Sequence, residues 1–199
     1  MREIVPGIYG WSWFSKDKGL DFNGIYANRA GEAMLVDPPP FGPGDDAEID
    51  RLGRPSTIVV TNRHHGRSAA ACREKFGARI VLPSADASVV DLRADGVYSP
   101  GDALPCGFTA VAVPHSKSPG ETALFHRELR LLVLGDALIG RPAGQLSFLP
   151  PSMFADMEAA REGVRSLLAL DFSAVLVGDG SSILSGAKEA VQRALERSS

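Results

Sequence analysis

The sequence predicts an α/β protein built as a four-layer αββα sandwich, two packed β-sheets with helices on their outer faces. Two β-rich blocks, each followed by segments of helical periodicity, point to that architecture. Three short apolar strands that run straight into polar loops point to where a site would lie.

The first forty residues alternate apolar and polar positions in the short runs "REIVPGIYGW", "DFNGIYAN" and "EAMLVD", separated by Gly and Asn, which predicts antiparallel strands joined by turns. "PPPFGPG" continues neither a strand nor a helix. "DDAEIDRLG" then has acidic residues in its first turn and Gly at its end, as a short helix does. Next come the β-branched run "STIVVT", a helix in "RSAAACREKFG" with Ala69, Cys72 and Phe76 on one face, and the strand "ARIVLP", together a βαβ unit.

The second block opens with "FTAVAVP" and continues with "TALFH" and "LRLLVLG", separated by "RE" as in a hairpin. "ADMEAAREGVRSLLAL" spaces Met157, Ala160, Val164, Leu167 and Leu168 as a helix would. "SAVLVG" is strand, and "SGAKEAVQRALERS" puts Ala187, Val191, Ala194 and Leu195 on one stripe. These amphipathic helices need sheets to cover. No repeat, low-complexity stretch or linker divides residues 1–199, so one domain is expected.

With 21 basic against 24 acidic residues and a net charge of −3, no segment gathers the Lys and Arg that nucleic acid or an anionic membrane would require. The amino terminus has no apolar stretch of signal-peptide length and no run is long enough to span a bilayer, so a soluble cytoplasmic protein is expected. Cys72 and Cys106 read as free thiols.

"TIVVTNRHHGR", "LRLLVLGDALIG" and "SAVLVGDGSS" each release an apolar strand into a polar loop, where a sheet fixes the backbone and the loop stays accessible. Asn62, His64, His65, Arg67, Asp136 and Asp179 are thereby candidates for one pocket. "VPHSKSPGET" adds His115 and Lys117.

Taken with the opening "IVPGIY" and the strand ending "LVD", these motifs stand in an order that resembles the metallo-β-lactamase superfamily, whose metal motif Thr-His-x-His-x-Asp-His follows a strand. The resemblance covers nearly the whole chain. It implies the αββα fold, a site between the sheets and metal-assisted hydrolysis of amides, esters, thioesters or phosphodiesters. The ligand positions depart from the family pattern. Thr61 matches the motif Thr, Asn62 falls on the first His, His64 on the second, Gly66 on the Asp and Arg67 on the last His. Lys117 stands where a His precedes Ser-Pro-Gly, Asp136 matches the Asp that bridges two metals, and Asp179 replaces a further His.

A guanidinium or ammonium offers a metal no lone pair. Arg67 and Lys117 facing Asp136 and Asp179 would instead balance the carboxylates without metals. The expectation is therefore a hydrolase with a rewritten site and no cofactor, taking a small anionic substrate. His64 and Asp136 are its catalytic candidates; Asn62, His65, Arg67, Lys117 and Asp179 form the binding or metal-replacing network. The alternative cofactor is a single zinc, iron or manganese ion held by His64, Asp136 and Asp179. The alternative function is a non-catalytic or small-anion-binding descendant of the fold.

Blander readings stand beside these. Asp136 and Asp179 are also suited to capping backbone N–H groups, and His115 and His126 read as surface or turn residues. Trp11 and Trp13 share a strand face and suit either core packing or a cleft wall. The loop "RPAGQLSFLPPSM", with Leu146, Phe148 and Leu149, reads as a lid or as an apolar plug.

Overall fold

In the computed structural model, which describes residues 1–197, the opening block forms one seven-stranded sheet. Strands β1 (Arg2–Val5), β2 (Ile8–Ser15), β3 (Leu20–Arg29) and β4 (Glu32–Val36) make the antiparallel meander. Helix α1 (Asp45–Leu52) then leads into β5 (Thr57–Val59), helix α2 (Ala69–Phe76) and β6 (Arg79–Pro83), with β5 pairing parallel to β4 and β6 parallel to β5. The βαβ unit follows from the switch between strand and helix periodicity. Strand β7 (Gly96–Tyr98) adds a parallel edge.

The second sheet holds β8 (Ala103–Leu104), β9 (Phe108–Ala112), β10 (Thr122–His126), β11 (Leu131–Leu134) and β12 (Ala174–Val177). Its order is β12-β11-β10-β9-β8, antiparallel except for the β11–β12 pair. Helix α3 (Met157–Ser166) crosses between those two strands, and α4 (Ala187–Arg197) closes the described chain. Residue 198, included in the helix read from sequence, lies outside the described residues.

Three apolar clusters define the layers. Ile8, Met34 and Val59 of the first sheet meet Phe108, Leu124 and Leu176 of the second to fill the space between them. Ile49, Cys72 and Phe76 carry α1 and α2 against the outer face of the first sheet. Val164, Val191 and Leu195 carry α3 and α4 against the second. The αββα sandwich expected from sequence is the fold. Burial of about 25 cal/mol per Å2 of apolar surface holds it together, and Cys72 and Cys106 are buried free thiols within it.

Helix α3 begins at Asp156, whose side chain accepts the Ala159 N–H at 3.0 Å, leaving one fewer orphan donor at the helix end. At Gly163 the helix lies against the loop that carries Lys117, so close that a Cβ there would sit 2.2 Å from the Pro114 carbonyl oxygen. Alanine in a helix interior ordinarily gains about 1 kcal/mol over glycine. Here backbone would have to move, so Gly163→Ala is expected to lower the thermal midpoint. An unchanged or raised midpoint would contradict this packing.

Several sequence readings are corrected or resolved. His126, read as a surface or turn residue, is buried at the end of β10, where Nδ1 accepts the Leu129 N–H at 3.2 Å and the ring meets Phe108 edge-on. His115 is exposed at a positive-φ turn. Trp11 is buried against Phe41, with Nε1 donating to the Pro40 carbonyl, whereas Trp13 is 39% exposed beside Phe22. In the loop after Asp136, Leu146 is fully buried and Phe148 packs on the α3 and α4 cluster, while Leu149 and Met153 face a cavity. That loop is a plug at Leu146 and Phe148 and a cavity wall at Leu149 and Met153.

Candidate active site

Polar side chains from both sheets gather at one end of the sandwich. The loop after β12 is drawn onto β3: the Asn23 N–H donates to the Gly178 carbonyl at 2.7 Å, and Asn23 Nδ2 donates to the carbonyls of Val177 and Gly180. This places Asp179 over the first sheet. Gly178 permits the approach, because a Cβ there would lie 2.6 Å from His65 Cε1.

The loop after β5 turns at once. The Thr61 N–H and hydroxyl both donate to Asp37, at 2.8 and 2.5 Å, and the His65 N–H donates to the Asn62 carbonyl at 3.1 Å. Adjacent side chains therefore diverge. His65 turns inward and is 2% exposed; His64 turns outward to the cavity.

His65 lies between two carboxylates, with Nδ1 2.8 Å from Asp37 Oδ2 and Nε2 3.5 Å from Asp136 Oδ1. Burial and the neighbouring Arg67 both oppose protonation, yet Asp37 and Asp136 overcome them and hold the imidazole pKa up to about 10. His65 is accordingly an imidazolium at neutral pH. Asp136 Oδ2 accepts from Lys117 Nζ at 2.9 Å. Burial alone would raise the Asp136 carboxyl, but His65 and then Lys117 outweigh it and hold the group well below the usual carboxylate range.

Arg67 pairs with Asp179 through Nη2, donates from Nη1 to the carbonyls of Asn23 and Gly178 at 3.2 Å each, and lies 4.4 Å over the Phe22 ring. Asp179 shifts the other way from Asp136: burial raises its pKa more than His65 and Arg67 lower it. The two carboxylates differ because Asp136 has both an imidazolium and an ammonium at contact distance, whereas Asp179 has a single ion-pair partner.

Asn62 is fully buried and donates to Glu121 at 2.8 Å, while its Oδ1 accepts the His64 N–H at 2.8 Å. Burial, reinforced by Asp136, pushes Glu121 up to about 8, which leaves it neutral at pH 7. The floor thus sets three cations, His65, Arg67 and Lys117, against three carboxylates, Asp37, Asp136 and Asp179. Its charge closes without an added ion.

Arg67 and Lys117 do lie beside Asp179 and Asp136, the juxtaposition that the sequence reading required. Among the described residues, the group able to offer a metal one atom each within 4.8 Å is His65, Asp136 and Asp179, where alignment to the motif points to His64. Reasoning from sequence missed Asp37, Glu121 and Asp86. Asp37 had a signal, since it ends the apolar strand "EAMLVD" just as Asp136 and Asp179 follow theirs. Asp86 is fully buried and accepts the Arg63 N–H, the Gly120 N–H and the Ser118 hydroxyl, fastening the His64 loop to the Lys117 loop.

Above the floor opens a cavity of about 630 Å3, whose walls include Phe22, His64, Lys117, Ile139, Arg141 and Met153. This size suits a small organic ligand. Burial and then Lys117 lower the His64 pKa, which favours the neutral imidazole, and its Nε2 accepts from the neighbouring Arg63 Nε at 3.3 Å.

An αββα sandwich with its polar cluster where strands of both sheets end defines the class. The sequence profile described as metallo-beta-lactamase superfamily matches residues 2–197, and the chain belongs to that superfamily. Hydroxyacylglutathione hydrolase of Cereibacter sphaeroides (strain ATCC 17025 / ATH 2.4.3) is 32% identical over 134 residues, covering 65% of this chain and 52% of the relative. The chain thus spans about half the length of that curated relative. DIM-1 metallo-beta-lactamase superposes with a TM-score of 0.80 over 99% of this chain and 96% of that one, at 13% identity. A metallo-beta-lactamase family protein from Thermus thermophilus gives 0.72 over 98% and 79%, at 16% identity. At those identities the likeness shows a shared fold. Among the described residues, no helix is long and apolar enough to cross a membrane.

Proposed function

We propose that the chain is a hydrolase of the metallo-β-lactamase superfamily that acts on a small anionic substrate, with organic cations in the place of metal ions. The observation that carries this reading is the closed network in which His65 spans Asp37 and Asp136, Lys117 pairs with Asp136 and Arg67 with Asp179. A zinc site needs three or four donors with free lone pairs. Each of His65, Asp136 and Asp179 is committed to a charged partner, and Arg67 and Lys117 cannot ligate. The residues do not fit a two-metal centre, and a single ion would have to displace Arg67 from Asp179 and a proton from His65.

Hydrolysis then falls to His64 and Lys117. Once the Arg63 side chain releases Nε2, the neutral His64 imidazole takes a proton from water as the water oxygen bonds to the substrate carbonyl carbon, and the Lys117 ammonium stabilises the oxyanion. Collapse breaks the bond to the leaving group, which departs with the proton from His64. Asp136 holds Lys117 in place. The name of the Cereibacter sphaeroides relative, hydroxyacylglutathione hydrolase, supports placing acylglutathiones among the substrates tested.

The test is a panel of esters, thioesters and phosphodiesters, with and without zinc or manganese, against wild type, His64→Ala and His64→Ala/Asp136→Ala. Turnover is expected without metal, reduced about 100-fold or more by His64→Ala as loss of a general base implies. Because burial and Lys117 lower the His64 pKa, the acid limb of kcat is expected below pH 6.5. Turnover that needs metal, or survives the double change, would contradict the reading.

A second reading, anion binding without turnover, is favoured by the lack of a side-chain nucleophile. Ser118 Oγ donates to Asp86, and among the described residues Ser116 Oγ is buried without a hydrogen-bond partner. A silent panel alongside measurable ligand binding would select it.

A further inference from the structure

The cavity's charges are divided by depth. At the floor, Arg67, Lys117 and His65 are matched by carboxylates. Lys18 and Arg141 also line the cavity, both are exposed, and among the described residues neither forms an ion pair. Its lining carboxylates, Asp136 and Asp179, are both spent on floor cations. Two exposed cations of the lining are thus left without a lining carboxylate to pair with.

Between floor and opening the walls are apolar: Leu20, Phe22, Ile139, Leu149, Pro150 and Met153. Met153 is 46% exposed there, and a thioether adapts readily to varied apolar ligands. A purely polar anion would leave these walls wet, and a neutral hydrocarbon would leave two cations without a counter-charge. A ligand with an apolar body and one terminal negative charge satisfies both.

We propose that the cavity binds amphipathic carboxylates, with the carboxylate at Lys18 and Arg141 and the apolar body along Phe22, Ile139, Leu149 and Met153. This names the substrate class of the proposed hydrolase and rests on that reading for the reacting bond alone: an acyl compound bound this way presents its carbonyl to His64 and Lys117 while a separate carboxylate is held at the opening. The planar guanidinium of Arg141 can receive a carboxylate through two parallel N–H···O bonds, a geometry a point charge such as Lys does not provide.

The test uses octanoate, which has no bond to hydrolyse, so binding and turnover can fail separately. Calorimetric titration of the full chain compares octanoate with octanamide, acetate and inorganic phosphate, in wild type and in Lys18→Ala/Arg141→Ala. Wild type is expected to bind octanoate about tenfold or more tighter than octanamide, the scale of one charge-assisted contact, and to bind acetate and phosphate more weakly than octanoate. The double variant, with an unchanged circular dichroism spectrum, is expected to lose the preference for octanoate over octanamide. Both changes lie on exposed positions, so folding should persist; Lys18→Gln/Arg141→Gln serves should the alanine pair misfold. Equal binding of octanoate and octanamide, tighter binding of phosphate, no octanoate binding, or a preference surviving in the variants would each overturn the proposal. Octanoate binding without turnover of the ester and thioester panel would uphold this inference while removing the hydrolase reading.

Discussion

Replacing Asp37 with alanine is expected to destabilise the protein by about 3–5 kcal/mol, the cost of breaking a buried ion pair by removing one partner. Asp37 is 2% exposed and accepts from the Thr61 N–H, the Thr61 hydroxyl and His65 Nδ1. Removing it strands three donors where water does not reach, one of them charged. The Thr61 contacts also fix the turn that sends His65 inward, so local geometry and charge fail together. Asp37→Asn keeps an acceptor for Thr61 and should lose less. Urea midpoints read both variants, and a loss under about 1 kcal/mol for the alanine change would mean that His65 does not depend on Asp37.

The second large effect is on the alkaline side of the stability profile. His65 binds its proton more tightly in the folded state, with a pKa of about 10 against roughly 6.5 unfolded. Its contribution is thus fully present below about pH 6.5 and is lost as pH rises towards 10. At about 1.4 kcal/mol per pKa unit the swing is several kcal/mol. Burial also raises Glu121 to about 8, so its own loss runs from the ordinary carboxylate range up to about pH 8, and the raised Tyr98 and Cys72 add loss on the alkaline side. The informative quantity is therefore the difference between wild type and His65→Gln. That difference is expected to be large near neutrality and to shrink by pH 10; a difference constant with pH would mean that His65 is neutral when folded.

The fold was legible where periodicity runs long. Ala69, Cys72 and Phe76, and likewise Ala187, Val191, Ala194 and Leu195, are the buried stripes of α2 and α4, as their spacing predicts. Strands β7 and β8 were not legible, because three and two residues are too few to establish alternation. At the site, Asn62, Arg67, Lys117, Asp136 and Asp179 could be read because each follows a strand closely. Asp37, Asp86 and Glu121 act through partners distant in sequence, such as Asn62 and Glu121 at a separation of 59. Spacing carries no record of such contacts. Which histidine of the doublet turns inward was hidden for a related reason: the turn is set by the His65 N–H donating to the Asn62 carbonyl and by Thr61 donating to Asp37, and alignment to a family motif counts positions without knowing them.

Charge closure at the floor is the claim on which the functional reading stands. It is tested most directly by metal content: the full chain is produced in medium supplemented with zinc, iron and manganese, dialysed, and assayed by elemental analysis. Well below one metal equivalent per chain is expected, because His65, Asp136 and Asp179 are already held by a proton, an ammonium and a guanidinium. A full equivalent retained through dialysis, and lost in Asp136→Ala, would show that a metal ion outcompetes those cations and would contradict the account.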